Sequence, residues 1–262
     1  MKNPTRAWTW IVAVSILLIP VAAWAQAPRP AKAPAVVSYT DKSLDSALCD
    51  AAQHGTPAAI KALVKQGAQV DTICSSWQAT PFENAVRDDN IANMTALLDA
   101  GADIDAWAGG DACCRETALG FAQSVLTVRF LLDRHANANI RRASDGSTPL
   151  IWLSMSATMA DTDRSADGDT KIAQLLIDAG ADVNVKDNDG MTPLIQGAGA
   201  HSKSFVKLLL DHGADVNARN SNGNSALDVT TNLKDSPLTS ADDSQALSDL
   251  ETFLRAHGAV QR

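Results

Sequence analysis

The chain has 262 residues, of which 45% are hydrophobic, and this is enough for a sizeable buried core. Aromatic residues make up only 5%, which is low for a β-sandwich or barrel and favours helices packed through small residues. The formal net charge is −8, which argues against nucleic acid and anionic membrane surfaces as the main partners.

The N-terminal segment, residues 1–25, is predicted to be a secretory signal peptide. Lys2 and Arg6 precede the apolar stretch AWTWIVAVSILLIPVAAWA, which ends in a small-x-small sequence. The alternative, an uncleaved membrane anchor, is disfavoured because the apolar run before Pro20 is short for a membrane span. We expect cleavage between Ala25 and Gln26. Cleavage would remove two positive charges, Lys2 and Arg6, so the formal net charge would change from −8 to −10.

Residues 26–40 follow as a segment rich in Pro and Ala, which predicts an extended tether without a core of its own. The mature chain is expected in the periplasm or the medium, and the sequence does not separate the two. Residues 41–262 form the predicted folded domain.

Two short landmarks recur along residues 41–262. An apolar pair is followed by Gly-Ala at intervals of 34, 34, 45, 33 and 45 residues, with His in place of Gly once. A Thr-Pro-Leu-like triplet begins the next apolar stretch. A segment that recurs at a fixed period indicates a structural unit stacked on its own copies. The first landmark falls at Gly67, Gly101, His135, Gly180, Gly213 and Gly258, and the second begins at Ser46, Thr80, Thr117, Thr148, Thr192 and Ser225.

The chemistry of these landmarks predicts two helices in each unit. Thr or Ser suits the cap of a first helix and Pro its first position, while Gly after the apolar pair suits the end of a second helix. Turn sequences such as DNDG then predict a projecting finger. We therefore predict an all-α solenoid of six units, with a short third unit and loop insertions at about 156–169 and 231–245. The units are 41–73, 74–106, 107–140, 141–185, 186–218 and 219–262.

This pattern resembles the ankyrin repeat: a helix, a turn and a second helix, then a finger roughly perpendicular to the helices. The sequences DNDGMTPLIQGA and FVKLLLDHGADVNAR match the family pattern nearly throughout, and the resemblance covers about residues 41–260. The chain departs from the family in having no His after the leucine of the first helix. These positions hold Cys49, Glu83, Gly120, Ile151, Ile195 and Asp228.

No pattern for catalysis or metal binding is evident. His135, His212 and His257 are assigned to one repeat position that caps the second helix, and His54 and His201 to turns between helices. No nucleophile or phosphate-binding motif occurs, so we expect no enzymatic activity, no metal and no cofactor. The acidic insertion MADTDRSADGDTK lacks the Gly and the bidentate Glu of a calcium loop, so we expect a solvated loop there.

All four cysteines, Cys49, Cys74, Cys113 and Cys114, lie in the first three units. An even number in an exported chain suggests disulfides, and four cysteines allow three connectivities. Because Cys74 and Cys114 shortly precede the landmarks of neighbouring units, both are placed on adjacent fingers. We expect a bridge from Cys74 to Cys113 or Cys114, with Cys49 then pairing with the remaining cysteine. The alternative is a peroxide- or thiol-sensing pair of cysteines on the finger surface.

The variable finger positions are the candidate partner-binding residues, because Trp and Arg are the types most enriched at binding hot spots. Trp77 and Trp107 could instead pack onto the next finger, and Trp152 is assigned to packing between repeats. The candidates are Trp77, Trp107, Arg141, Arg142, Lys186 and Arg219.

The resemblance implies a non-enzymatic scaffold that binds another protein through its finger tips and concave helix face. We expect a monomer, without nucleic acid or membrane as partner. Two alternatives stay open. One is an inhibitor or immunity protein that neutralises a toxic enzyme in the same compartment, which predicts one tight, basic partner. The other is a thiol-redox protein using Cys113 and Cys114, which predicts reactive free thiols.

Overall fold

The structure is a computed structural model that describes residues 42–75, 78–106, 117–156, 166–200, 202–237 and 239–261. All regular elements in these ranges are helices, and they follow one another in pairs, one pair in each predicted unit. The pairs are α1 (Lys42–His54) and α2 (Pro57–Lys65), α3 (Pro81–Arg87) and α4 (Ile91–Asp99), α5 (Ala118–Phe121) and α6 (Val125–Asp133), α7 (Pro149–Ser156) and α8 (Ala166–Asp178), α9 (Pro193–Gly199) and α10 (Lys203–Asp211), and α11 (Ala226–Lys234) and α12 (Ala241–Ala256).

The helices form two layers within one compact body, Tyr39–Arg262. The first helices pack in chain order, α1 on α3, then α5, α7, α9 and α11. Among the second helices, α2 packs on α4, α6 on α8 and α8 on α10. This is the predicted solenoid, since each unit covers its apolar faces with its neighbours.

The predicted N-caps are confirmed at several first helices. The Thr80 hydroxyl accepts a hydrogen bond from the Glu83 amide at 3.2 Å, and the Thr80 amide donates to the Glu83 carboxylate at 2.7 Å. Thr192 caps α9 by accepting from the Ile195 amide at 3.2 Å. In the short third unit, Thr117 makes no side-chain cap and α5 is a single turn.

The position after the leucine, where the family pattern has His, is occupied by groups that stabilise each unit differently. Glu83 and Asp228 complete capping boxes with Thr80 and Ser225, because a carboxylate there reaches back to the capping amide. Ile151 and Ile195 are fully buried and add to the core instead.

Two predicted boundaries are wrong. Helix α1 begins at Lys42, so Ser46 lies inside the helix and does not cap it. The second insertion is a shorter loop than predicted, because residues 231–234 extend α11 and 241–245 form the start of α12. The Ser240 hydroxyl caps α12 by accepting from the Asp243 amide at 3.1 Å. This helix start lies within the segment that the sequence predicted to be a loop. Of the first insertion, 157–165 lie outside the described residues, and 166–169 form the first turn of α8, so the predicted loop is wrong there.

One apolar core runs along the solenoid. The leucines of the first-helix landmarks are at most 4% exposed, and in units two to five one leucine of the apolar pair on the second helix is buried to a similar degree. Each such side chain contributes about 2 kcal/mol when removed from water. The buried leucines are Leu48, Leu119, Leu150, Leu194 and Leu227 on the first helices, and Leu97, Leu131, Leu176 and Leu209 on the second.

The second helices end in a left-handed residue, as predicted. Gly101, Gly180 and Gly213 have φ of +96°, +89° and +84°, a conformation that Gly adopts at little steric cost. His135 takes this position in the third unit with φ +65°. The assignment of His135 to the same position as His212 and His257 is therefore wrong by one residue, because those two side chains stand just before the glycine.

Polar side chains tie each unit to the next. Along the loops that follow the second helices, an Asp or Asn oxygen accepts from a backbone amide of the following unit. Examples are Asp105 with Asn137 at 2.9 Å and Asn184 with Asp215 at 2.8 Å. On α4, the fully buried Asn93 side chain donates to the carbonyls of Ala51, Ala52 and Gly55 at 3.0–3.3 Å and so ties the second unit to the first.

A disulfide joins Cys49 on α1 to Cys74 at the start of the finger that follows α2, with 5.7 Å between the Cα atoms. The expected bridge from Cys74 to Cys113 or Cys114 is therefore wrong. The chain after α2 returns to the base of its own first helix, and this return brings Cys74 to Cys49. Cys113 and Cys114 lie outside the described residues.

Among the described residues, no helix is both long and apolar enough to cross a membrane.

Candidate binding surface

The three fingers that follow α6, α8 and α10, called here the third, fourth and fifth fingers, are tight hairpin turns. Each is closed by a backbone hydrogen bond: Arg142 N–H to the Ser147 carbonyl at 2.8 Å, Asp187 to Met191 at 3.1 Å and Asn220 to Asn224 at 3.0 Å. A glycine with φ near +75° lies within each turn. Short closed turns of this kind hold the neighbouring side chains in defined places.

Neighbouring fingers are also joined through their backbones. The Asn188 amide donates to the Asp145 carbonyl at 2.8 Å, and the Ser221 amide donates to the Asp189 carbonyl at 2.9 Å. These bonds connect the third finger to the fourth and the fourth to the fifth. The three fingers therefore form one continuous surface.

Two of the predicted binding cations, Arg141 and Lys186, follow one another along this surface. The Arg141 guanidinium donates to the Lys186 carbonyl at 2.7 Å, and the Lys186 ammonium donates to the Arg219 carbonyl at 2.9 Å. Both side chains are exposed, and neither forms a salt bridge with a carboxylate in the described part of the chain. Their charges are held in place and accessible.

The other two predicted cations, Arg142 and Arg219, form ion pairs within the protein. Arg142 pairs with Asp145, and its side chain is only 13% exposed. The hydrogen bond from Arg142 outweighs partial burial and holds the pKa of Asp145 well below its ordinary value. Arg219 donates to the Asp228 carboxylate at 2.7 Å and is 22% exposed. These two arginines therefore stabilise their own fingers.

Asp228, in the first turn of α11, connects the fifth finger to the start of that helix. Burial raises the pKa of Asp228, but hydrogen bonds from Ser225 and Arg219 outweigh burial and leave the pKa below its ordinary value. The same carboxylate caps α11 and holds Arg219, so the finger and the helix start form one polar cluster.

The predicted aromatic anchors Trp77 and Trp107 lie outside the described residues. Their roles as anchors or as packing side chains remain predictions.

Trp152 on α7 combines packing with exposure. Its ring is half-buried and lies 4.5 Å below the Arg142 guanidinium, a cation–π contact. With Thr117, Gly120 and Pro149 it lines a small, open depression between the third and fourth units, where the first helix of unit three is one turn long. The assignment of Trp152 to repeat packing therefore missed its exposed edge.

Trp152 belongs to a row of half-buried side chains on the first helices. Phe121, Gln196 and Val229 occupy the same repeat position, four residues after the capping Thr or Ser. None of these side chains carries a charge. The row gives this face of units three to six an apolar and neutral character, and alignment of the six units on their caps would have found it from the sequence.

The histidines at the ends of the second helices lie within hydrogen-bonding distance of carbonyls in the last helical turn. Ring nitrogens of His212 and His257 lie 2.8 Å from the carbonyls of Leu208 and Phe253, one turn earlier. No cluster of His, Cys, Asp and Glu suited to a metal ion occurs within the described ranges. The described surface therefore offers binding groups and no evident catalytic arrangement.

Comparison with known proteins agrees with this architecture. A family model described as ankyrin repeats (three copies) matches residues 164–234. No curated protein matches the sequence of the chain.

Three solved structures illustrate the likeness of fold. The ankyrin repeat domain of Bcl-3, described as a member of the IκB protein family, is 28% identical with a TM-score of 0.64, over 82% of this chain and 87% of that one. An ankyrin repeat domain from Acinetobacter baumannii AYE is 23% identical with a TM-score of 0.62, over 81% and 98%. The human ASB11 ankyrin repeat domain is 24% identical with a TM-score of 0.58, over 82% and 84%.

The paired helices, the capped first helices, the fingers and the matching family model together define a repeat solenoid of the ankyrin class. Residues 164–234 are ankyrin repeats, and the described units share the fold of ankyrin-repeat domains; such repeats indicate a protein–protein interaction scaffold.

Proposed function

We propose that the mature chain is an exported, non-enzymatic scaffold that binds one partner protein across its fingers and the neighbouring first-helix face. The observation that carries the proposal is the pair Arg141 and Lys186. Each is exposed and held by a carbonyl of the next finger. Cations fixed in this way lose little side-chain entropy when they meet a partner, which favours binding.

Export is supported by two independent features. The N-terminal sequence has the composition of a signal peptide. The Cys49–Cys74 disulfide suits an oxidising compartment, because such bonds are rare in proteins of the reducing cytosol. Both features support our proposal that the protein acts in the periplasm or outside the cell.

Affinity capture tests this proposal. Residues 26–262 serve as bait in an envelope extract, beside an Arg141→Ala/Lys186→Ala variant. The matched control is Arg129→Ala/Lys171→Ala, which removes two exposed cations from the second helices α6 and α8. A partner retained by the control and lost by the finger variant supports the proposal.

Two further variants locate the site. A Trp77→Ala/Trp107→Ala variant tests the first fingers, and Trp152→Ala tests the first-helix face. Equal capture by the finger variants but loss with Trp152→Ala would move the site to the helix face. No specific partner in any envelope or culture fraction would contradict the scaffold proposal.

The inhibitor alternative predicts a single basic enzyme as the captured partner, and the enzyme's activity would fall on binding. The observation that favours it is the acidic balance of the mature chain, −10 when residues 1–25 are removed from a chain of −8. Salt would then weaken the complex strongly, since complementary charges are screened.

A further inference from the structure

At the junction between the second and third units the second helices are weakly packed, and the first helices α3 and α5 share a smaller contact than α9 and α11 do. Helix α2 packs along α4, and α6 packs along α8, but within the described residues α4 and α6 share no comparable packed face. Helices α10 and α12 also share no comparable packed face. At that junction, however, the first helices α9 and α11 are of full length and pack together, whereas α5 at the junction of units two and three is a single turn. In a repeat solenoid, stability is the sum of the units and their interfaces. A poorly packed interface is therefore where the array separates most easily.

The helices of the third unit also have fewer stabilising features than those of the other units. Helix α5 has no side-chain cap, and His135, two residues after the end of α6, has a left-handed conformation that a residue with a side chain rarely adopts. On the outer face of α6, Leu126 is 65% exposed, where the neighbouring helices carry the smaller Ala92 and the charged Lys171. This leucine side chain therefore adds little to the burial that holds the unit.

One carboxylate connects α6 to the preceding unit. Asp89, in the turn after α3, accepts from the Ser124 hydroxyl at 2.8 Å and from the Thr127 hydroxyl at 2.5 Å. Ser124 is itself the cap of α6, accepting from the Thr127 amide at 3.1 Å. Asp89 thus holds the first turn of α6 through a short polar contact, where the α2–α4 and α6–α8 junctions use packed side chains. Two further contacts cross the junction away from α6: Asp105 accepts from the Asn137 amide at 2.9 Å, and the Arg87 guanidinium lies 4.9 Å from the centre of the Phe121 ring.

The parts on either side of this junction are more firmly joined. On the N-terminal side, the Cys49–Cys74 disulfide closes the first unit, and Asn93 ties the second unit to it with three hydrogen bonds. On the C-terminal side, the first helices α5 and α7 share only a small contact, but backbone bonds join the third, fourth and fifth fingers, and α6, α8 and α10 pack in series.

We propose that the solenoid has a hinge between its second and third units, with Asp89 as the latch. Units one and two move as one block and units three to six as another, and release of Asp89 from Ser124 and Thr127 opens the seam between α4 and α6. A partner that contacts both blocks selects one orientation from this equilibrium, so the hinge regulates how the two parts of the binding surface present themselves.

Hydrogen exchange on the mature chain tests the hinge. The Asp89→Gly variant removes the latch without backbone strain, because φ at this position is +50° and Gly accepts it. We expect amides of α6 to exchange at least about tenfold faster than in the parent, while those of α1 and α8 change less than about threefold.

Two controls isolate the latch. Asp89→Asn keeps an acceptor oxygen and tolerates the same backbone, so its α6 exchange should stay within about threefold of the parent. Asp88→Asn removes the neighbouring exposed charge and should leave α6 unchanged. Acceleration of all six units together by Asp89→Gly would show one cooperative body and overturn the hinge. Unchanged exchange in α6, or equal acceleration by Asp89→Asn, would overturn the latch.

Discussion

Removal of the Cys49–Cys74 disulfide is expected to destabilise the first unit selectively. The perturbation is the double variant Cys49→Ala/Cys74→Ala, which leaves no new free thiol. The bridge closes a loop with a sequence separation of 25 residues. In the chain-entropy account, a cross-link over about 25 residues lowers the entropy of the unfolded chain by an amount worth about 3.5 kcal/mol.

The location of the bridge decides where this free energy is lost. Cys49 is 7% exposed and Cys74 is 2% exposed, so each alanine also loses a buried sulfur contact. The loop contains the C-terminal half of α1, all of α2 and the start of the finger, which belong to the first unit, and this unit packs on only one other unit. Because units and interfaces contribute separately, we expect α1 and α2 to unfold before the remaining units.

Urea unfolding followed by circular dichroism, with hydrogen exchange of the α1 and α2 amides, measures the effect. We expect an early transition of small amplitude in the variant and a main transition at an unchanged midpoint. The matched control is Cys113→Ala/Cys114→Ala, which changes two cysteines outside this bridge. A loss below about 1 kcal/mol in α1 and α2, or a shift of the whole transition without an early phase, would refute the reasoning.

Three further predictions follow from single positions. His135→Gly should stabilise the protein by about 1 kcal/mol in thermal unfolding. The substitution removes an exposed side chain from a left-handed backbone position that Gly adopts without strain, and a lower unfolding midpoint would contradict this. Asn93→Ala should cost about 2 kcal/mol in urea unfolding, since three buried carbonyl contacts to the first unit are lost, and a neutral result would show that the tie is dispensable. Burial raises the pKa of Asp187, so its stabilising contribution is present below the unfolded pKa and is lost as pH rises through the folded one. Asp187→Asn should therefore stabilise the protein at pH 7 by less than about 1 kcal/mol and have no such effect near pH 3, as Asn220 accepts the equivalent turn bonds.

The local elements were predictable because their signals are local. A capping Thr such as Thr80 or Thr192 and a glycine such as Gly180 act within one helical turn. The same signals repeated at a constant period predicted the stacked helices and their common core. The sequence alone therefore determined the all-α solenoid, the order of its units and the shortness of the third.

Only the tertiary structure decided which distant groups meet. The partner of Cys74 depends on where the chain returns after α2, and spacing along the sequence pointed to the wrong cysteines. In the same way, Arg141 and Arg142 are neighbours in sequence, yet one lies exposed on a carbonyl of the next finger and the other is paired with Asp145 over Trp152. Local pattern sets where helices begin and end, because backbone hydrogen bonds are local, whereas side-chain partners are set by three-dimensional proximity between units.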